Sequence, residues 1–146
     1  MIDIRVQQAP FDTGAELDRL HRLGVGGVAS FTGIVRGDDG LNELFLEHHP
    51  RMTETVMRAM AEQAAARWPL AGIILIHRHG RLMPGDPIVL VATASSHRAA
   101  ALESCAALID RLKTKAPFWK RESFADGRSR WVEAKDEDDR AAARWH

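Results

Sequence analysis

The chain has 146 residues, with 20 basic and 20 acidic side chains and no formal net charge. This length suits one domain with one core, and the absence of a basic excess argues against extended nucleic-acid binding. No apolar run reaches the ~18 residues of a membrane span, the N-terminus lacks a signal-peptide pattern, and a single cysteine, Cys105, excludes an internal disulfide framework. We therefore expect a single domain over residues 1–146 in the cytoplasm, with no nucleic-acid or membrane partner.

The first residues predict a strand followed by a helix. Apolar and polar residues alternate over 2–6, which is typical of a strand with one buried face. Asp12 and Thr13 can cap a helix, and Thr13 and Glu16 have the spacing of a capping box. We expect this helix to end near Leu23, before a glycine.

A glycine-rich segment predicts the second strand. The β-rich run 28–36 ends at Arg36, and the glycines at 26, 27 and 33 indicate bends or a close approach of two backbones. The sequence GDDG at 37–40 indicates a turn.

The middle of the chain alternates strands with one helix. Thr53 can cap a helix that continues to about Trp68. Apolar runs bounded by turn signals predict strands at 44–46, 72–79 and 88–94.

A long helix and a hairpin follow. The helix is predicted from Ser96 until just before Pro117. Strands are predicted at 118–124 and 129–134 around an Asp-Gly turn, with a short helix at the C-terminus. Because helices and strands are intermixed and a hairpin comes late, we expect an α+β fold with a mixed, largely antiparallel sheet and packed helices.

The start of the long helix is the first candidate site. A helix N-terminus presents free N–H groups and partial positive charge, and His97 and Arg98 add cations there. Such an arrangement favours a phosphate or carboxylate ligand. The alternative is a capped helix whose two side chains are merely solvated.

The end of the same helix is the second candidate. From Arg111 to Glu122 there are five cations and one anion, although the whole chain is neutral. Such a local cationic site suits a small anionic ligand or a peptide carboxylate rather than a polyanion. Lys113 is also favoured structurally at a helix C-terminus, and Lys120 could be an ordinary surface lysine. Arg36, beside the GDDG turn, could bind phosphate through its guanidinium fork.

The histidines and the cysteine do not indicate a metal or a nucleophile. His77 and His79 share one strand face, and His48 with Glu47 could add ligands, but this spacing matches no closed metal pattern. Cys105 lies among small apolar residues, as a buried and inert thiol would. We expect no metal and no cofactor.

Several segments together resemble a known family, the large catalytic subunits of molybdopterin synthase. The similar segments cover nearly the whole chain in order. They are GGVASFTGIVR (26–36), LFLEHHPRMTE (44–54), IHRHGRLMPGD (76–86), VATASSHRAAALESCAALIDRLKTKAPFWKRE (91–122) and GRSRWVEA (127–134).

The resemblance implies a reaction and its partners. Members of this family insert two dithiolene sulfurs into cyclic pyranopterin monophosphate to form molybdopterin. The sulfur arrives as a thiocarboxylate on the C-terminal glycine of a small ubiquitin-like subunit. The implied fold contains a hammerhead-type element, and the implied assembly is a homodimer at the centre of a heterotetramer.

The resemblance also implies roles for particular residues. Lys113 and Lys120 match the two essential lysines of the family. Substrate-binding positions match Phe31, Arg36, His97, Arg98, Arg121, Glu122 and, where the family usually has arginine, Lys135. His49 and Arg51 replace the usual tyrosine and glycine in a loop outside these positions.

Two other functions are compatible with the residues. One is a non-catalytic module that binds an anion or a ubiquitin-like tail, and the other is a metallohydrolase that uses His48, His77 and His79.

The sulfur-transfer function has to account for the distance between its two groups of residues. His97 and Lys113 would be ~24 Å apart along an unbroken helix. Either the helix is broken, or the two ends serve different pockets, and we expect a dimer in which one chain's helix start faces the other chain's lysines.

Overall fold

The computed structural model describes residues 1–132 and residue 145. In chain order this part contains β1 (Ile2–Gln7), α1 (Thr13–His21), β2 (Gly27–Ile34), a 3-10 turn (Asp38–Gly40), β3 (Leu41–His48), α2 (Pro50–Arg67), β4 (Leu70–Arg78), β5 (Gly80–Leu82), β6 (Pro87–Ser95), α3 (Arg98–Lys115), β7 (Phe118–Phe124) and β8 (Ser129–Val132). Lys135, the end of the last predicted strand and the predicted C-terminal helix lie outside the described residues.

The strands of the described chain form two four-stranded sheets. Sheet one has the order β1-β4-β6-β2, in which β1 and β4 are parallel and the other pairs are antiparallel. Sheet two has the order β5-β3-β7-β8 and is antiparallel throughout. The predicted α+β class is therefore confirmed, but the strands divide into two sheets where the sequence suggested one.

Sheet one is covered on both faces. Ile73 and Leu75 of β4 pack with α2 and α3, whereas Ile74 and Ile76 pack with Leu20 of α1 on the opposite face. Alternate residues of a strand point to opposite faces, so a central strand covered on both sides is apolar throughout. Burial of each such side chain contributes about 1.5–3 kcal/mol.

A smaller core holds sheet two against the end of sheet one. Leu44, Leu46 and Leu82 of sheet two cluster with Val35, which follows β2. Phe118, at the start of β7, packs against this cluster. The two sheets therefore share apolar contacts near the point where α3 passes into β7.

Helix α3 lies close to β6 and runs antiparallel to it. Thr93 Oγ1 donates a hydrogen bond to the Ala101 carbonyl at 2.7 Å, and Cys105 Sγ lies 3.7 Å from the Val91 carbonyl oxygen. Residues later in the helix therefore contact residues earlier in β6. Cys105 is buried, as predicted, and burial raises the pKa of its thiol to about 11.

Three helix starts differ from the prediction, and the first is that of α1. Asp12 alone caps α1 by accepting from the Ala15 N–H at 3.1 Å, while Glu16 pairs with Arg5 and Arg19, so the predicted capping box is wrong. Two guanidinium groups compete for that carboxylate with the backbone N–H that a capping box would offer.

The second helix, α2, begins at Pro50, and its cap is His49, whose Nδ1 accepts from the Met52 N–H at 3.3 Å. Thr53, predicted as the cap, is fully buried in the first turn and donates to the His49 carbonyl at 2.8 Å. Proline is favoured at the first position of a helix because its missing N–H would have no partner there.

The start of α3 also lies two residues later than predicted, at Arg98. Ser95, rather than Ser96, organises this end, because its hydroxyl accepts from the His97 N–H at 3.1 Å and donates to the Pro69 carbonyl at 2.7 Å. Gly26 packs against the same corner. Its N–H donates to the Ser95 carbonyl at 3.1 Å, and a Cβ on Gly26 would lie 2.6 Å from the Ser96 carbonyl oxygen.

We predict that Gly26→Ala destabilises the protein by about 1–3 kcal/mol, because a methyl group there meets backbone that cannot rotate away. Urea unfolding followed by circular dichroism measures this loss. Gly14→Ala is the matched control, since a Cβ at Gly14 in α1 would make only an ordinary 3.5 Å contact with the Asp12 carboxylate. We expect that control to be neutral or slightly stabilising. Equal stability of the Gly26 variant and the wild type would contradict the close-approach explanation.

Candidate functional site

The predicted site residues divide between the two ends of α3. The helix is continuous from Arg98 to Lys115, so the possibility of a broken helix is excluded. Its start lies beside the end of β6, and its end lies beside the start of β6 because the two elements are antiparallel. At ~1.5 Å per residue the two ends are ~24 Å apart.

The first half-site is the start of α3. Ser96, His97 and Arg98 are all exposed. Within the described residues no side chain caps this helix, and its first turn contains no acidic residue. The amide groups of the first turn therefore remain oriented toward any anion that binds there, and Arg98 adds a positive charge.

The second half-site is the junction, defined as residues 77–79 together with residues 113–120. Lys113 is exposed in the last turn of α3, and Lys120 is exposed on β7. Only Ala116 and Pro117 connect the helix to the strand. The chain thus brings both predicted catalytic lysines to the same end of sheet one.

Arg36 lies at this same end. It follows β2, whose last residue pairs with Pro87 at the start of β6. Its side chain is 83% exposed and forms an ion pair with Asp38 at 2.5 Å. An exposed pair of this kind contributes little to stability, so the guanidinium can exchange Asp38 for an anionic ligand at small cost.

The remaining predicted substrate positions do not all face the lysines. Glu122 shares the face of β7 that carries Lys120 and accepts a hydrogen bond from Arg130 at 3.0 Å. Arg121 is on the other face, over the rings of Phe45 at 5.1 Å and Trp131 at 5.9 Å.

Phe31 is half-buried on β2 and packs against the core cluster of α2 and α3. Its ring therefore forms part of the apolar layer between sheet one and the helices. Lys135 lies outside the described part of the chain.

A histidine cluster lies at the junction. The His77 ring stacks on the Phe118 ring with centroids 3.7 Å apart and planes at 17°. The His48 ring lies 4.4 Å from His79 and 5.6 Å from Phe118. His48 also contacts the Thr53 hydroxyl at 3.1 Å, so the cluster connects β3, α2 and β4 to the start of β7.

Burial favours the neutral form of each of these histidines. Burial, assisted by the nearby charge of Lys120, lowers the pKa of His77 to about 4, even though its Nδ1 contact with the Arg78 carbonyl acts in the opposite direction. Burial also lowers the pKa values of His48 and His79. The described residues contain no group of three or more side chains placed to hold a metal ion.

The sequence indicates these histidines only as possible metal ligands and does not predict their stacking at the junction. The two-residue spacing of His77 and His79 indicated a shared strand face. Nothing local to that segment, however, indicated that Phe118 of a distant strand would cover it.

Two open clefts flank the histidine cluster. One, of about 530 Å³, includes Gln8, Phe45, His48, His79 and Arg81 in its lining. The other, of about 430 Å³, is lined by His48 together with Glu47, His49, Pro50, Trp119 and Trp131. Among the described residues, Lys113 and Lys120 line neither of these clefts. Both lysines are exposed outside these two clefts.

None of the described helices is both long enough and apolar enough to cross a membrane.

Comparison with known proteins identifies the family. Residues 6–115 match the family model described as MoaE protein. The chain is 51% identical to the molybdopterin synthase catalytic subunit of Pseudomonas aeruginosa over 97% of each chain. It superposes on a molybdopterin biosynthesis MoaE protein from Burkholderia ambifaria with a TM-score of 0.85 and 46% identity, covering 99% and 98% of the two chains.

A more distant structure shares the fold. It is a protein–protein complex of subunits 1 and 2 of molybdopterin-converting factor from Helicobacter pylori, with a TM-score of 0.76 and 22% identity over 91% of this chain and 90% of the matched chain. With a family match over most of its length and close relatives aligned nearly end to end, the chain belongs to the MoaE protein family.

Proposed function

We propose that this chain is the catalytic subunit of a molybdopterin synthase. It transfers sulfur from the thiocarboxylated C-terminus of a small ubiquitin-like subunit to cyclic pyranopterin monophosphate, forming the dithiolene of molybdopterin. The observation that carries this proposal is the pair of exposed lysines at the junction, Lys113 and Lys120, in a chain 51% identical to a catalytic subunit of this enzyme. The cytoplasm remains the predicted location.

The two lysines suit the anionic thiocarboxylate and the leaving oxygen of the proposed reaction. A thiocarboxylate is an anion, and two ammonium groups on adjoining elements can hold it while the sulfur attacks the pterin. A lysine that gives up or regains a proton can also serve the leaving oxygen.

The sulfur has to come from outside this chain. Cys105 is its only cysteine. That thiol is buried beneath α3, and its pKa of about 11 keeps it protonated and a poor nucleophile at neutral pH. A partner that carries sulfur on its own C-terminus fits this chemistry, and the Helicobacter pylori relative was solved as a complex of two subunits.

The phosphate of the substrate needs local cations. Arg36, at the same end of sheet one as the junction, and Arg98, beside His97 at the start of α3, supply such groups without requiring a basic protein overall. Phe31, Arg121, Glu122 and Lys135 remain predicted substrate contacts on the basis of the resemblance.

The separation of the two ends of α3 favours a site built from two chains. A pterin monophosphate does not span the ~24 Å between the ends of one helix. In a two-fold dimer, the helix start of one chain can face the lysines of the other, and both sites form at once. A homodimer with a small subunit at each end is the heterotetramer that we propose.

We predict that Lys113→Ala folds normally but converts the pterin at least about 100-fold more slowly, because a proton-transferring and charge-holding group is lost. The measurement is single-turnover conversion with a thiocarboxylated small subunit. Lys115→Ala is the control, since Lys115 is an exposed lysine two residues away on the same helix turn. Wild-type turnover by the Lys113 variant would disprove the assigned role, and partner binding without any conversion by the wild type would favour the non-catalytic binding module.

We also predict complementation between chains. His97→Ala and Lys113→Ala dimers should each be nearly inactive. If the two are dissociated and remixed at random, half of the dimers are mixed and each contains one intact site, so activity should return to about a quarter of the wild-type level. Gel filtration and native mass spectrometry verify the mixing. A remixed sample that stays inactive although mixed dimers are present would place both half-sites within one chain.

A further inference from the structure

We infer that His77 is a positioning residue for Lys120. Its ring packs on Phe118 at the start of β7 and so holds the strand that carries Lys120 two residues later. The structural part of this inference, the placement of Lys120 by His77, does not depend on the reaction. Only its kinetic consequence rests on the proposed function.

The backbone that carries His77 is held in place by the side chain of the next residue, Arg78. Arg78 is 8% exposed, and its guanidinium donates to the Gln8 carbonyl at 3.1 and 3.0 Å and to the Pro87 carbonyl at 3.2 Å. These bonds connect the end of β4 to the end of β1 and to the start of β6. Bonds between a charged donor and a carbonyl are stronger than neutral ones, so this corner of sheet one resists movement.

The His77 ring has one orientation within this corner. Its Nδ1 lies 2.8 Å from the Arg78 carbonyl oxygen, which can only accept, so the hydrogen is on Nδ1 in the neutral ring. A ring held at both its backbone and its Nδ1 offers a fixed face to Phe118.

That face determines where β7 begins. Phe118 lies flat on His77 at 3.7 Å and is the first residue of the strand. Lys120 is two residues further along, so its side chain leaves the same face of β7. On the neighbouring strand, Phe118 pairs with His48 and Lys120 pairs with Leu46. The stack therefore holds β7, the strand that carries Lys120, in a fixed position relative to sheet one.

A charged residue at position 77 would oppose this role. Three titratable groups from the surrounding elements act on His77, namely Lys120 from β7, His48 from β3 and His79 after β4. Burial and these neighbours keep its pKa near 4, so His77 is neutral in the range where Lys120 has to bind an anion. A second fixed cation here would disfavour the charged form of Lys120.

A first experiment tests the contact without any reaction. Because electrostatic coupling is reciprocal, Lys120→Met should raise the pKa of His77 by several tenths of a pH unit, measured by NMR titration of the imidazole nitrogens in the intact protein. Lys113→Met is the matched control and should leave that pKa unchanged. At pH 7 the nitrogen shifts should show the neutral ring with its hydrogen on Nδ1. An unchanged His77 pKa in the Lys120 variant would overturn the inference.

A second experiment separates the stack from the polar contact. His77→Phe keeps an aromatic ring against Phe118, and His77→Asn keeps a donor near the Arg78 carbonyl without a ring. We expect the Phe variant to keep the single-turnover rate within about threefold and the Asn variant to be about tenfold slower, with unchanged affinity for the small subunit in both. Equal losses in both variants, or a full rate in the Asn variant, would refute positioning through the stack.

The outcomes also separate this inference from the proposed function. If Lys120→Met turned over normally, the catalytic role of Lys120 would be wrong, while the His77 titration would still decide whether the two residues are coupled. If either His77 variant failed to fold, as seen by circular dichroism, the titration of the folded Lys120 variant would decide alone.

Discussion

The separation of the two half-sites depends on the close packing of α3 against β6. Small residues on the inner face of the helix allow this approach, and the bond from Thr93 to the Ala101 carbonyl sets the register between the two elements. Once the register is set, His97 and Arg98 lie at one end of sheet one and the lysines at the other. A longer side chain at Ala101 or Ala107 would lift the helix and shift both ends together.

The ends of α3 are built in opposite ways. At its start, the backbone approaches so closely that Gly26 is needed, and Ser95 organises the turn that precedes the helix. At its end, the chain passes through Ala116 and Pro117 into a second sheet, where aromatic and histidine rings provide the packing. The first end exposes backbone amide groups, and the second exposes flexible ammonium groups. In the proposed function, the first end suits the compact phosphate of the pterin, and the second suits the anionic tail of the small subunit.

Much of this arrangement could be predicted from the sequence, because the signals are local. The alternation over residues 2–6 predicted β1, and the proline at 117 predicted the end of α3. The predicted capping box failed because guanidinium groups competed for its carboxylate. Arg5 and Arg19 bind the carboxylate of Glu16 that a capping box would have used. The division into two sheets and the stack of His77 on Phe118 depend on pairings between strands far apart in the chain, for which no local pattern exists.

The two-residue connection between α3 and β7 has a mechanical consequence. Lys113 belongs to the helical layer on sheet one, and Lys120 belongs to sheet two. Any sliding of sheet two relative to that layer would change the separation of the two ammonium groups, whatever their own rotamers do. Pro117 restricts one backbone torsion of the connection, and the apolar cluster around Val35 and Leu46 resists shear between the layers. The spacing of the lysines is thus a property of the stiffness between two layers rather than of either side chain.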